Sequence, residues 1–262
     1  MAALSDVLVD VPVGIPADAE PTPAEPTPAE PTAAEPTVVD LATTDVRALN
    51  RALHAADVAQ TSPRWRVVRP DGRHSIAVGL DAEVQVQIDG HVGYYCAGMN
   101  KTADVVVDGN AGVGVAENMM SGTVRVRGNA SQSAAATAHG GLLVVEGSAA
   151  ARCGISMKGV DIVVGGDVGH MSAFMGQAGR LVVCGDAGHA LGDSLYEARL
   201  YVAGSVRSLG ADCVEKEVRA EHLAELTDLL AAAGIDADPT TFRRYGSARS
   251  LYNFHVDNAS AY

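Results

Sequence analysis

The stretch that decides the fold is DIVVGGDVGH, residues 161–170, because RLVVCGDAGH follows it at residues 180–189. The second copy starts nineteen residues after the first. A catalytic motif has no need of a copy, whereas a structural repeat consists of copies. Working outward, Gly stands at 90, 109, 128, 147, 166, 185 and 204. Two residues before each Gly stand Ile88, Val107, Val126, Val145, Val164, Val183 and Val202. Four before stand Val86, Val105, Val124, Leu143, Ile162, Leu181 and Leu200. Two after stand Val92, Ala111, Ala130, Ala149, Val168, Ala187 and Val206. A fixed period near twenty marks a solenoid.

Apolar residues at −4, −2 and +2 follow the two-residue alternation of a strand, not the 3.6-residue period of a helix. The leucine-rich pattern, with its fixed Asn or Cys slot, is absent. The spacing therefore predicts an all-β solenoid over residues 84–210. This is a right-handed parallel β-helix of about seven 19-residue coils, the hand following from the chirality of parallel crossovers. At about 4.8 Å per coil it forms a rod on the order of 30 Å long. The repeated Gly sits at a corner, where either a side chain would collide or φ must be positive.

The flanks read differently. Residues 1–37 hold PTPAEPTPAEPTAAEPT, carry seven acids and no Lys or Arg, and have nothing to bury. They read as a disordered acidic tail, an inert solubilising spacer. Without them the formal charge of −13 falls to about −6, ordinary for a soluble domain. Residues 38–83 read as an N-terminal cap. TTDVRALNRALHAAD (43–57) is a helix capped by Thr43 or Thr44, with Val46, Leu49 and Leu53 on one face. Around Asp71-Gly72 two apolar runs give a hairpin-like signal, with His74 on a surface strand. Residues 211–262 end the chain with a helix striped by Val218, Leu223, Leu226 and Leu230 and stopped by Gly234. This helix is expected to cover the open edge of the last coil. An aromatic tail follows, containing Phe242 and Phe254.

The acidic balance argues against nucleic acid or an anionic membrane as partner. No 18-residue apolar run and no signal peptide are visible, and Cys96, Cys153, Cys184 and Cys213 form no CxxC pair. The chain reads as reduced and cytoplasmic. Cys96 and Cys153 share a phase but lie three coils apart, roughly 14 Å, and read as buried free thiols.

Two histidines, His170 and His189, share phase +4, and Asp167 and Asp186 share +1. Stacked on adjacent coils they make a donor set for a metal. The competing reading is structural. Position +1 runs His91, Asn110, Asn129, Ser148, Asp167, Asp186, Ser205, a polar corner ladder whose side chains satisfy turn backbone. That reading is preferred, so no metal site is assigned. His91 and His139 are out of phase or on distant coils. Met99, Met119, Met157 and Met175 are expected to fill a second wall of the core. The glycine strings are not phosphate loops, since GxxxxGK[ST] is missing. No catalytic, cofactor-binding or metal residue is assigned. One feature asks for a cover. Position −3, which should face outward, reads Gln87, Val106, Arg125, Val144, Val163, Val182, Tyr201. Either the C-terminal segment or another protein must sit on it.

The repeats resemble the GXGXG family, which includes the C-terminal β-helix domain of the glutamate synthase large subunit and a structural subunit of formylmethanofuran dehydrogenase. HVGYYCAGMNKTADVVVDGNAGVGVAENMMSG (91–122) and ARCGISMKGVDIVVGGDVGHMSAFMGQAGRLVVCGDAGHALGDS (151–194) sharpen the likeness. They are similar to the small separate-subunit branch, which comprises the β-helical subunit of N-methylglutamate synthase and the glxC-type proteins. The likeness runs from about residue 40 to Tyr262 and leaves out the proline-rich head. It implies a non-catalytic scaffold subunit. Its partners would be a class II glutamine amidotransferase-like subunit and a subunit that holds FMN and an iron–sulfur cluster. The implied reaction is methylamine plus L-glutamate giving N-methylglutamate plus ammonia. The alternatives are another glutamate-synthase-like amidotransfer complex, or a structural role like that in formylmethanofuran dehydrogenase.

Overall fold

A computed structural model describes residues 35–56 and 63–250. The tail assigned to residues 1–37 lies outside the described residues up to Ala34, as do Phe254 and the rest of 251–262. The solenoid is present. Strands β3 (Gln85–Asp89), β4 (Asp104–Val107), β5 (Thr123–Val126), β6 (Leu142–Val145), β7 (Lys158–Val164), β8 (Ala178–Val183) and β9 (Arg199–Val202) pair in parallel, each with the next. The register follows the repeat, with Val86 opposite Val105, then Val124, Leu143, Ile162, Leu181 and Leu200. A second column of parallel bridges links Val92, Ala111, Ala130, Ala149, Val168, Ala187 and Val206. The −4 and −2 residues are fully buried, so the alternation read from sequence is the inside–outside alternation of the coil wall.

The corner glycines are needed for space. A Cβ on Gly109 would stand 2.7 Å from the carbonyl oxygen of Gly90. Only Gly90 of the seven repeat glycines has positive φ, at 134°. Collision, not backbone conformation, is therefore the general reason for the repeat. The left-handed residues lie elsewhere in the coil. Tyr95, Ala97 and Met99 have φ of 60°, 53° and 56°, and later coils repeat this at +5, +7 and +9, as in Gly114, Ala116 and Asn118. Their N–H groups reach alternately forward and back. Tyr95 donates to the Val113 carbonyl (2.8 Å) and Ala97 to the Ile76 carbonyl (2.9 Å). The turn side of the rod is thus bonded coil to coil, like the strand side.

The ladder starts before residue 84. Strand β1 (Thr37–Asp40) pairs in parallel with β2 (Arg64–Val68), and β2 in parallel with β3. The hairpin expected around Asp71-Gly72 is therefore replaced by a divergent coil. Asp71 and Gly72 do turn the chain, with φ of 44° and 70°. The chain then runs on around the rod, Ser75 donating to Tyr94 and Gly79 to Gly98, both at 2.7 Å. His74 lies on this turn and not on a strand. Helix α1 (Val46–His54) is capped by Asp45, which accepts from the Ala48 N–H at 2.7 Å, in place of the expected Thr43 or Thr44. Leu49 and Leu53 bury fully against the core.

The C-terminal end also differs from expectation. The edge of β9 is covered by β11 (Arg243–Ser247), antiparallel to it, and β11 in turn pairs with β10 (Cys213–Lys216). Tyr245, 2% exposed, joins the core. Helix α2 (Ala220–Ala233) is not on that edge. It lies across the outer face of the sheet, stopped by Gly234 at φ 62°.

Candidate functional site

The outward valines of the strand wall are covered by the chain itself. Val144, Val163, Val182 and Tyr201 are each 0% exposed. They form a second apolar core with Leu226, Leu229, Leu230 and Ala233 of α2 and with Phe242. Of the two covers that the sequence allowed, the C-terminal segment is the one in place. Val218 and Leu223, placed in the apolar stripe of α2 from sequence, are only half-buried, and Leu229 takes their place.

Polar side chains fix the helix at that position. Glu225 accepts from the Tyr201 hydroxyl at 2.7 Å and pairs with Arg199 at 2.8 Å and Arg180 at 3.5 Å. Arg180 also grips Asp161 with two donors, Nε at 2.6 Å and Nη2 closer still. Burial and the adjacent Glu225 carboxylate push the Tyr201 phenol up, so it stays a donor. Arg125 donates to the Ala233 carbonyl at 2.7 Å, a cation at the negative end of the helix. At the other end Arg219 N–H donates to His222 Nδ1 at 3.1 Å. Burial, with Arg244 nearby, holds the His222 imidazolium pKa below its usual value and keeps that nitrogen an acceptor. A cleft of about 590 Å³ flanks α2, lined by Gly122, Gly141, Asp161, Arg180, Glu225 and Asp228. Its one arginine is already committed to Asp161 and Glu225.

The +1 column is the corner ladder expected from sequence. From His91 to Asp186, each side chain accepts from the backbone N–H nineteen residues on. Asn110 Oδ1 takes Asn129 N–H (2.8 Å) and Asn129 Oδ1 takes Ser148 N–H (2.8 Å). Ser148 Oγ takes Asp167 N–H (3.0 Å), Asp167 Oδ1 takes Asp186 N–H (2.7 Å) and Asp186 Oδ1 takes Ser205 N–H (2.6 Å). The Ser205 N–H holds the Asp186 carboxyl below its usual range. Asp167 and Asp186 thus each have an oxygen occupied by backbone. His170 and His189 are exposed on the turns, with His189 Nδ1 3.3 Å from Ser208 Oγ. Among the described residues no three His, Cys, Asp or Glu converge as a metal-ligand group.

Cys96 and Cys153 are buried free thiols, each pushed up to about 12 by burial. Cys213 is likewise buried and raised to about 12, by burial and then by Asp212. Cys184, half-buried, is raised by burial alone. The four methionines split. Met119 and Met157, at +10, are fully buried, whereas Met99 and Met175, at +9, are 51% and 36% exposed. One residue of phase separates inside from outside, so they do not form one wall. Sequence reading missed the role of Glu225 altogether, since its partners lie up to 45 residues away and no local pattern marks it.

No family model matches the chain. It is 62% identical over 224 residues to Protein GlxC of Rhizobium meliloti (strain 1021), covering 85% of this chain and 98% of the relative. The chain belongs to the GlxC family. The relative is shorter by nearly the length of the proline-rich head. Among the described residues no helix of this GlxC-family chain is long and apolar enough to cross a membrane.

Proposed function

We propose that this GlxC-family chain is a non-catalytic scaffold subunit of a glutamate-synthase-like complex, namely N-methylglutamate synthase. In this reading it bridges a class II glutamine amidotransferase-like subunit and a subunit that holds FMN and an iron–sulfur cluster. The complex converts methylamine and L-glutamate to N-methylglutamate and ammonia, and the rod sets the distance between the two working subunits. One observation carries the reading: the conspicuous polar groups of the solenoid serve the solenoid. The corner Asn, Ser and Asp side chains hold the next coil, Glu225 and Arg180 hold α2, and three of the four thiols are buried. The resemblance of residues 91–122 and 151–194 to the separate-subunit branch supports the choice of complex.

The test is isolation of the chain from its native source, followed by identification of what comes with it. A flavin-bearing subunit and an amidotransferase-like subunit should co-purify, and the assembly should release ammonia from glutamate in the presence of methylamine. The chain alone should be colourless and inactive. An isolated chain that turns over substrate, or a native chain with no stoichiometric partner, overturns the proposal. An assembly active on another amine removes the methylamine assignment and leaves the scaffold role.

A further inference from the structure

Helix α2 runs across the outer face of the sheet from β9, where Glu225 meets Arg199 and Tyr201, to β5, where Ala233 meets Arg125. Its two halves are held by different means. From Leu226 on, Leu226, Leu229, Leu230 and Ala233 bury against the valine stripe. Ahead of Leu226 the helix offers the sheet little that is apolar. Ala220, Glu221 and Ala224 are exposed and Leu223 is half-buried, which leaves His222 as the one buried side chain of residues 220–225.

His222 stands third in the helix and reaches back to the N–H of Arg219, which its Nδ1 accepts at 3.1 Å. Glu or Gln ordinarily makes this contact. A carboxylate or an amide accepts the N–H at any pH near neutral. An imidazole accepts it only while neutral, because imidazolium carries a proton on both nitrogens. Arg219, in the capping place, can only donate and supplies no replacement. Protonation therefore sets one N–H against another, and the surroundings work in the same direction. The new cation lies in the first turn, at the positive end of the helix dipole. The charged groups around it are Arg244 of β11, Arg199 of β9, Glu221 and Glu225 of α2 itself, and Arg219 with Glu217 in the approach to the helix. Arg244 is fixed by the Glu217 carbonyl at 2.9 Å. The carboxylates that would favour a cation are already engaged, Glu225 by Arg199, Arg180 and the Tyr201 hydroxyl, and Glu217 and Glu221 by Arg219.

We propose that His222 makes the start of α2 an acid-released latch. Neutral, it holds the first turn on the sheet. Protonated, it lets that turn lift, takes Glu225 off Tyr201 and opens the last-coil end of the valine stripe. The closed turn needs the neutral ring, in keeping with the downward shift that burial and Arg244 impose on it. The contribution of the latch is therefore whole above about 6.5, the ordinary value for His, and is lost as the pH falls below it.

The test uses the full chain alone, so the scaffold reading does not enter. Hydrogen exchange of the amides of residues 223–226 is compared between wild type and His222→Gln, which keeps an acceptor but does not titrate. Comparing the two proteins at one pH removes the intrinsic effect of pH on exchange. From pH 7.5 to pH 5.5 the wild-type rate, relative to the variant, should rise about threefold to tenfold, the upper figure being the preference of an open state that protonates at about 6.5. The amides of β4 should keep their ratio. A ratio for α2 that is the same at both pH values overturns the latch, and so does an equal rise in β4, which would mean general loosening. Should His222→Gln not fold, wild type decides by NMR. The ring signals of His222 and the amide of Leu223 should then titrate with one shared midpoint, and a Leu223 amide that ignores the His222 titration overturns the proposal.

Discussion

Replacing Gly147 by Ala tests the corner reasoning at its tightest point. The added Cβ would fall against the Asn129 side-chain oxygen and 2.8 Å from the Gly128 carbonyl oxygen. Gly147 does not have positive φ, so backbone conformation contributes nothing to the cost. Two effects add. Asn129 must swing away and release the Ser148 N–H it holds at 2.8 Å, a hydrogen bond worth about 0.5–1.5 kcal/mol. The corner must also open against the Gly128 carbonyl, an overpacking cost of about 1–3 kcal/mol. The sum is about 2–4 kcal/mol, or a melting-temperature drop of about 5–15 °C for a structured region of this size. Equilibrium urea unfolding of Gly147→Ala, Asn129→Ala and the double variant measures the two parts separately. Asn129→Ala alone loses the same hydrogen bond, about 1 kcal/mol. The double variant should therefore cost about 1 kcal/mol less than the sum of the singles, because the bond can be lost only once. A Gly147→Ala protein within about 0.5 kcal/mol of wild type, or a double variant whose cost equals the sum, would refute the ladder.

Val163→Asp puts an unpaired charge between the sheet and α2. The isolated chain should lose several kcal/mol of stability, visible as a lowered melt with no partner present; an unchanged melt would mean that α2 does not cover the stripe. The thiols should separate by reactivity. At pH 8 a thiol reagent should modify Cys184 first, while Cys96, Cys153 and Cys213, all raised to about 12, react only on unfolding. Equal rates for all four in the native state would contradict their burial.

Most of the fold was legible because a 19-residue period repeated seven times averages out local ambiguity. The ends were not legible for the same reason. Thr37 pairs with Trp65 and Arg64 with Gln85, intervals of 28 and 21 residues, so β1 and β2 fall out of step with the repeat. The insertion of α1 between them, and a true turn at Asp71-Gly72, imitated a separate hairpin cap. The +1 ladder was readable because its residues, after His91, are all small acceptors at one phase. The cover of the valine stripe was not, since a stripe shows that it must be buried but not by what. Glu225 shows the limit most clearly. It is an ordinary acidic residue on a helix until folding brings Tyr201, Arg199 and Arg180 to it.

The hand-over of hydrogen bonds from each residue to the one nineteen positions on makes length a counted quantity. One residue gained or lost within a coil would put only the step that spans it off the nineteen-residue interval, and would have to be taken up as a local bulge there, as the 18-residue step from Leu191 to Leu209 is. A whole coil, in contrast, can be added or removed with every ladder still in step. The span between whatever is held near the first coil and near the last therefore changes only in steps of about 5 Å. Seven repeat glycines make this molecule a ruler graduated in turns, and a related chain with one coil more would hold its neighbours one graduation further apart.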